Sequence, residues 1–255
     1  IGRSKVAEAA RANSDNLEQA ARKARYAFLE RTARRVAANY VLTAHTMDDQ
    51  AETVLLRLMR GSGGFGLGGM EAVRPLAKDS SVKLVRPILW ARRLETEDYC
   101  RLRKTEYLSD EMNDDQTFSR VRIRKQLLPL MQSFNNRVVE ALSRTAAQLR
   151  EDGAVLFDDS DALLRRAVVS TQQSETETPA LDVSVLAKAP PALRRRALRA
   201  WLSEARGTAR RLEMVHLVAV EKLLEGNAGG RTVELPGGGR VTRRRGRLEF
   251  EFEND

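Results

Sequence analysis

Cysteine is almost missing from these 255 residues, with Cys100 alone. A single thiol excludes an intramolecular disulfide and any multi-cysteine zinc site, and it fits a reduced, cytoplasmic compartment. Cys100 falls in a helical pattern and reads as a small core residue. Aromatics make up 5% of the chain, and few of them interleave with its basic runs. That argues against a stacking platform for single-stranded nucleic acid. No apolar run approaches the roughly 20 residues that span a bilayer, and the N-terminus carries no signal-peptide core, so no membrane role is expected. Lysine is scarce as well: the 44 basic residues comprise 36 arginines and 8 lysines. Arginine's planar fork suits phosphate recognition, although such a bias also follows genomic composition. What is present is enough chain for a sizeable core or two modest domains, a net charge of +9 and an isoelectric point near 10.1.

The most informative stretch is Ala44-His45-Thr46-Met47-Asp48-Asp49-Gln50-Ala51-Glu52-Thr53, followed by Arg60-Gly61-Ser62-Gly63-Gly64-Phe65-Gly66-Leu67-Gly68-Gly69-Met70. Tyr40 to Ala44 is a short apolar run with the length of a buried strand. Thr46 and Asp49 read as a capping box that starts a helix. Ala51, Val54, Leu55, Leu58 and Met59 recur at helical spacing, and Gly61 reads as the C-terminal cap. His45 then sits at the carboxyl end of a strand, where open α/β sheets place ligands, with Asp49 and Glu52 on one helix face. Three readings of this cluster stand side by side: acids that complement a helix dipole, a metal site, and a pocket for a cationic small molecule.

Elsewhere, Leu17 to Ala38 has one apolar stripe and an arginine-rich outer face, as an amphipathic helix does. Helix, strand, helix is a fragment of a βαβ-type parallel sheet. Ser80 to Leu89 reads as another strand and Leu94 to Tyr107 as a helix. From Phe118 strands largely vanish: Val138 to Leu149, Ala154 to Val169, Ala192 to Leu202 and Leu212 to Leu224 are helical, with a polar loop at 171–180. Arg231 to Leu235, Arg240 to Thr242 and Leu248 to Phe252 read as short antiparallel strands about a Pro236-Gly239 turn. The expected fold class is therefore an α/β doubly wound parallel-sheet domain over residues 1–115, a mainly helical domain over 116–230 and a short β segment over 231–255. Charge is uneven: residues 151–180 carry net −5 and residues 181–250 net +8. Arg194, Arg195, Arg196 and Arg199, with Arg243, Arg244, Arg245 and Arg247, dominate the excess. Such runs are either solvated surface or a footprint for a phosphate backbone, and the paucity of aromatics favours shape recognition of folded RNA.

These motifs, with Asn16-Leu17-Glu18-Gln19-Ala20-Ala21-Arg22-Lys23-Ala24-Arg25-Tyr26, Val85-Arg86-Pro87-Ile88-Leu89 and Arg120-Val121-Arg122-Ile123-Arg124-Lys125-Gln126-Leu127-Leu128-Pro129, resemble the tRNA(Ile)-lysidine synthases. Order and spacing agree from about Asn16 to Pro129, with weaker similarity beyond. The resemblance implies an ATP-pyrophosphatase-like nucleotide domain followed by a helical domain that helps hold tRNA. It also implies a reaction: ATP-dependent ligation of L-lysine to C2 of the wobble cytidine in an isoleucine tRNA with a CAU anticodon, through an adenylated tRNA, giving lysidine. ATP and Mg2+ are the implied cofactors, and a homodimer is implied too.

Carried over residue by residue, the resemblance makes Asp49 and Glu52 the lysine-binding acids. His45, Arg22 and Arg124 become catalytic candidates, with no metal assigned to the protein. Arg22, Arg122, Gly61 and Gly63 become nucleotide-contacting candidates, and Arg194, Arg195, Arg196 and Arg199 candidates for tRNA. Packing of helix to sheet is an equally good account of Arg25 and Tyr26. One departure stands out. The family's SGGxDS-type pyrophosphate loop is not found in the sequence, so the expectation is that the N-terminal pyrophosphate-loop segment is missing and that the fragment alone is inactive. The competing functions are a related tRNA-modifying ATP-pyrophosphatase such as a 2-thiolation enzyme, which a lone Cys100 disfavours, an RNA-binding module without chemistry, and a metal-dependent hydrolase built on His45, Asp49 and Glu52.

Overall fold

The computed structural model describes residues 17–107, 115–169, 178–226 and 230–252. It divides into two compact units, residues 1–150 and 151–255. The boundary falls inside one long helix, Val138–Ala167.

In the first unit, α1 (Leu17–Arg35) leads to β1 (Tyr40–Leu42), α2 (Met47–Met59), the single turn α3 (Gly64–Leu67), β2 (Val73–Pro75), β3 (Lys83–Val85) and α4 (Arg93–Leu102). Next come α5 (Ser119–Arg122), a π-helical turn (Ile123–Leu127), α6 (Leu128–Phe134) and α7 (Val138–Ala167). The expected helix, strand, helix order is present. The sheet is mixed rather than wholly parallel: its order is β1-β3-β2, with β1 and β3 parallel (Val41 opposite Leu84) and β2 antiparallel to β3 (Arg74 opposite Leu84). Strand β2 has no legible signal, because its three residues include a proline and an arginine and two of them are exposed. The predicted strand Ser80 to Leu89 shrinks to three residues, since Pro87 has no N–H to extend a ladder.

The cap of α2 is as read. Asp49 Oδ2 accepts from the Thr46 amide at 2.8 Å, and the Asp49 amide returns a bond to Thr46 Oγ1 at 3.4 Å. Ala51 and Leu55 bury their side chains against Ile123, Leu128, Val138 and Val139. A second cluster, Ala33, Leu76, Val82 and Leu84, locks α1 to the sheet. Helix α4 buries no residue, so Cys100 is half-buried rather than a core residue. The two helices expected between Val138 and Val169 are one, with Gly153 buried inside it.

The second unit holds β4 (Val168–Val169), β5 (Ala180–Asp182), α8 (Val183–Lys188), α9 (Pro191–Ala205), α10 (Met214–Glu221), a 3-10 turn (Lys222–Leu224), β6 (Thr232–Leu235), β7 (Gly239–Arg244) and β8 (Arg247–Phe252). The terminal strands are not a separate segment. They join β4 and β5 in one sheet of order β4-β5-β8-β7-β6, around a core that includes Leu181, Trp201, Leu217, Val241 and Phe250. Strands β4 and β5 are too short to show alternation, which is why this region reads as helical. Most of the expected loop at 171–180 lies outside the described residues. Among the described residues no helix is long and apolar enough to cross a membrane.

Candidate active site

The chain leaves β1 through Thr43, whose amide donates to Val85 O at 2.9 Å, and enters α2 at Thr46. This crossover delivers Thr43, Ala44 and His45 to the carboxyl end of the strand beside the first turn of a helix. They line a cleft of about 490 Å³, closed by Arg25, Tyr26 and Leu29 of α1, Asp49 of α2, Arg93 of α4, and Arg120 and Arg124.

His45 Nδ1 lies 2.9 Å from Thr43 Oγ1. Burial chiefly, together with the charges of Arg86, Arg120 and Arg22, lowers its pKa from 6.5 to about 4, against the opposing pull of Asp49. The imidazole is therefore neutral at physiological pH and able to accept a proton. Burial works to raise the pKa of Asp49, but the Thr46 amide, Arg120 and Arg93 overcome it and hold the carboxyl below its usual range. While Oδ2 is committed to the cap, Oδ1 faces Arg93 at 3.3 Å, Arg120 at 3.5 Å and Arg124 at 3.8 Å.

Glu52 is placed differently. Its side chain is fully buried, with Oε2 receiving Arg120 Nε at 2.7 Å and Oε1 receiving Arg124 Nε at 2.6 Å. Arg124 Nη2 adds a third bond to Oε2 at 3.1 Å. Both oxygens accept from arginine, Oε1 from one donor and Oε2 from two. The structure thus places the expected lysine-binding residue Glu52 between two arginines. Arg120 and Arg124 reach the same carboxylate from either side of the junction between α5 and the π-helical turn; such turns are frequent at functional sites.

Of the other expected residues, Arg22 is exposed beside Tyr26, 5.2 Å from its ring centroid, and is not among those lining the cleft. Arg122 is exposed and also outside the lining. Gly61 and Gly63 lie beyond the far end of α2, with open space around both. That glycine-rich loop is bound down by its own protein. Arg57 donates to Gly66 O at 2.6 Å and Gly69 O at 2.8 Å, Arg150 to Met70 O at 2.7 Å, and Gln50 bonds both the amide and the carbonyl of Met70. A Cβ at Gly69 would sit 2.7 Å from the Gln50 amide, which accounts for that glycine.

In the second unit the arginine run is divided. Arg194 and Arg195 both bind Glu221, at 2.5 Å and 2.6 Å, and Arg199 donates to Leu212 O. Arg196, by contrast, bonds only a carbonyl of its own helix among the described residues. Of the four tRNA candidates, two are thus held by a buried carboxylate. Sequence reasoning passed over Arg93 and Arg120 as site residues. A signal existed for Arg120, which stands one helical turn before Arg124, but none for Arg93, whose partner Asp49 is 44 positions away. Among the described residues no group of three or more His, Cys, Asp and Glu could hold a metal ion. The three-residue metal reading of the motif fails because Glu52 is enclosed by arginines.

Comparison with known proteins places these features in context. A family model for the PP-loop domain matches residues 1–131, and one for the TilS substrate binding domain matches residues 181–249. The first match begins at Ile1, which overturns the expectation that the pyrophosphate-loop segment is missing. The tRNA(Ile)-lysidine synthase of Rhodococcus erythropolis is 43% identical over 249 residues, covering 95% of this chain and 70% of that protein. The one from Leifsonia xyli is 42% identical over 234 residues, covering 91% and 67%. The one from Geobacter sulfurreducens is 38% identical over 236 residues, covering 92% and 48%.

Proposed function

This chain belongs to the tRNA(Ile)-lysidine synthase family, and from that premise we propose that its cleft joins L-lysine to C2 of the wobble cytidine in an isoleucine tRNA with a CAU anticodon, at the expense of ATP. The observation that carries this reading is the meeting of a neutral His45, an ionised Asp49 and four arginines in one cleft at a strand's carboxyl end.

In the proposed reaction the cytidine O2 attacks the α-phosphorus of ATP and pyrophosphate leaves. The lysine ε-amine then adds at C2, AMP departs with O2, and the amine gives up a proton. Neutral His45, steadied through Nδ1 by Thr43, is the acceptor for that proton. Asp49 Oδ1 takes the remaining ammonium of lysine by a charge-assisted bond in exchange for its long contact with Arg93. Arg93, Arg120 and Arg124 supply positive charge for phosphate or carboxylate oxygens, and Glu52 is a positioning residue that fixes the last two. Mg2+ would enter with the nucleotide phosphates, since the described residues form no three-ligand cage for it and the ion usually keeps substrate phosphates and waters as ligands.

Labelled lysine, ATP, magnesium and a CAU-anticodon isoleucine tRNA test the reading directly. Incorporation with stoichiometric AMP release is the expected result for the wild type. With Asp49→Ala the lysine requirement rises at least about tenfold while tRNA binding is retained. Equal losses on lysine and tRNA would refute the ammonium role. Bound tRNA with no incorporation at any lysine concentration would instead favour a binding module without chemistry.

A further inference from the structure

Four arginines gather at one edge of the first unit, and the one carboxylate among the described residues whose charge reaches them, Glu71, acts on Arg57 without forming a salt bridge. Arg22 and Arg74 both place their guanidinium carbons 5.2 Å from the centroid of the Tyr26 ring. Arg86, 3% exposed, bonds the Tyr26 side chain and donates to the backbone carbonyl of Glu71. Arg57 completes the group from α2, with the carbonyls of Gly66 and Gly69 as its partners. Arg74 likewise has only carbonyl partners, Pro75 O at 2.7 Å and Leu76 O at 3.3 Å, apart from Tyr26. Among the described residues none of the four makes a salt bridge, while Arg92, Arg93, Arg120 and Arg124 nearby all do.

Charge taken out of water is normally paired, and an unpaired buried cation is costly. Here the cost is visible twice. Arg86 Nε is buried and has no hydrogen-bond partner. Burial chiefly, with repulsion from Arg74 and Arg22, also depresses the basicity of Arg86 against the opposing pull of Tyr26, and burial and Arg22 do the same for Arg57 against Glu71. The Tyr26 ring lines the cleft beside His45, which itself feels Arg86 and Arg22. Planar forks of this kind suit the oxygens of a phosphoryl group.

We propose that Arg22, Arg74 and Arg86, gathered on Tyr26 at the edge of the cleft, form an anion subsite that takes a phosphoryl group and so pairs a cluster of positive charge that makes no salt bridge among the described residues. The ligand chemistry is phosphoryl oxygen. Its source is the pyrophosphate part of the nucleotide or a backbone phosphate of RNA, an assignment that rests on the proposed ligase reading; the subsite itself does not.

Inorganic pyrophosphate is titrated into the purified protein by calorimetry and by thermal shift, and an anticodon stem-loop RNA is titrated at several salt concentrations. Arg74→Gln is the variant, and Arg101→Gln, which removes a charge from the exposed Arg101–Asp98 pair, is the control. Pyrophosphate should bind, raise the melting temperature and lose affinity by about tenfold or more in Arg74→Gln but not in Arg101→Gln. If pyrophosphate is unaffected while the RNA salt slope falls by about one unit in Arg74→Gln, the subsite stands and its source is RNA. No change in either titration overturns the proposal and leaves the cluster a packing feature. A readout on the wild type alone guards against a variant that fails to fold: bound pyrophosphate should move the His45 NMR titration midpoint upward from about 4, because the anion offsets Arg86 and Arg22. Saturating pyrophosphate and saturating stem-loop RNA that both leave that midpoint unmoved count against the subsite. Lysine incorporation, measured separately, reports on the ligase reading and not on this one.

Discussion

At the residue scale, His45 illustrates how little of a site's chemistry lies in its side chains alone. Exposed in a peptide, an imidazole is about half protonated near pH 6.5; here burial and three arginines push that midpoint to about 4. Because the folded pKa is depressed, the linked stability is fully present above the unfolded value of 6.5 and is lost as pH falls toward about 4. Urea denaturation across that window should show stability declining in the wild type and declining less in His45→Asn. An NMR titration of His45 with a midpoint above 6 would refute the depression by burial and arginine charge. Glu52→Gln tests the second residue-scale claim. Removing one charge from a buried pair costs about 3 kcal/mol or less here, since both guanidinium partners are 24% exposed. The same variant should lower kcat far more than it raises the lysine KM, because Glu52 acts by way of Arg120 and Arg124. A change confined to the lysine KM would restore Glu52 as a direct ligand.

At the element scale, α2 and its loop were legible where their signals are local. The Thr46–Asp49 capping box and the apolar face at Ala51 and Leu55 follow from spacing within one helix, and the structure has both. The meaning of the glycines was not legible, because it depends on what approaches them. Gly61 has positive φ and open space, whereas Gly69 has positive φ and Gln50 against it. Gly61→Ala should therefore cost roughly 1 kcal/mol, the strain of a left-handed alanine. Gly69→Ala should cost about 2 kcal/mol or more, since overpacking is added to the strain. Equal midpoints for the two variants in urea denaturation would contradict this account. Strands β2, β4 and β5 were missed for a related reason: at two or three residues each, their existence is decided by a partner strand and not by their own alternation.

Across the whole molecule, a net charge of +9 invites the view that every basic run meets nucleic acid. Packing divides the run at 194–199 instead. Arg194→Ala should lower thermal stability by about 1–3 kcal/mol by leaving Glu221 short of a partner, with little effect on the salt slope of tRNA binding. Arg196→Ala should do the reverse, changing the slope by up to about one unit at unchanged stability. Equal stability losses would return both to a common role. The sequence by itself determined what local chemistry can encode: the α2 start, the helical course after Phe118, and the motif order that resembles tRNA(Ile)-lysidine synthases. Only the tertiary structure decided which charges are already taken. Glu52 became the anchor of Arg120 and Arg124, Asp49 kept one oxygen toward the cleft, and Arg22, Arg74 and Arg86 were left together around Tyr26. The physical reason is that an ion's availability depends on its burial and on its neighbours in space, and those neighbours here, such as Glu52 and Arg124, stand 72 positions apart in the chain.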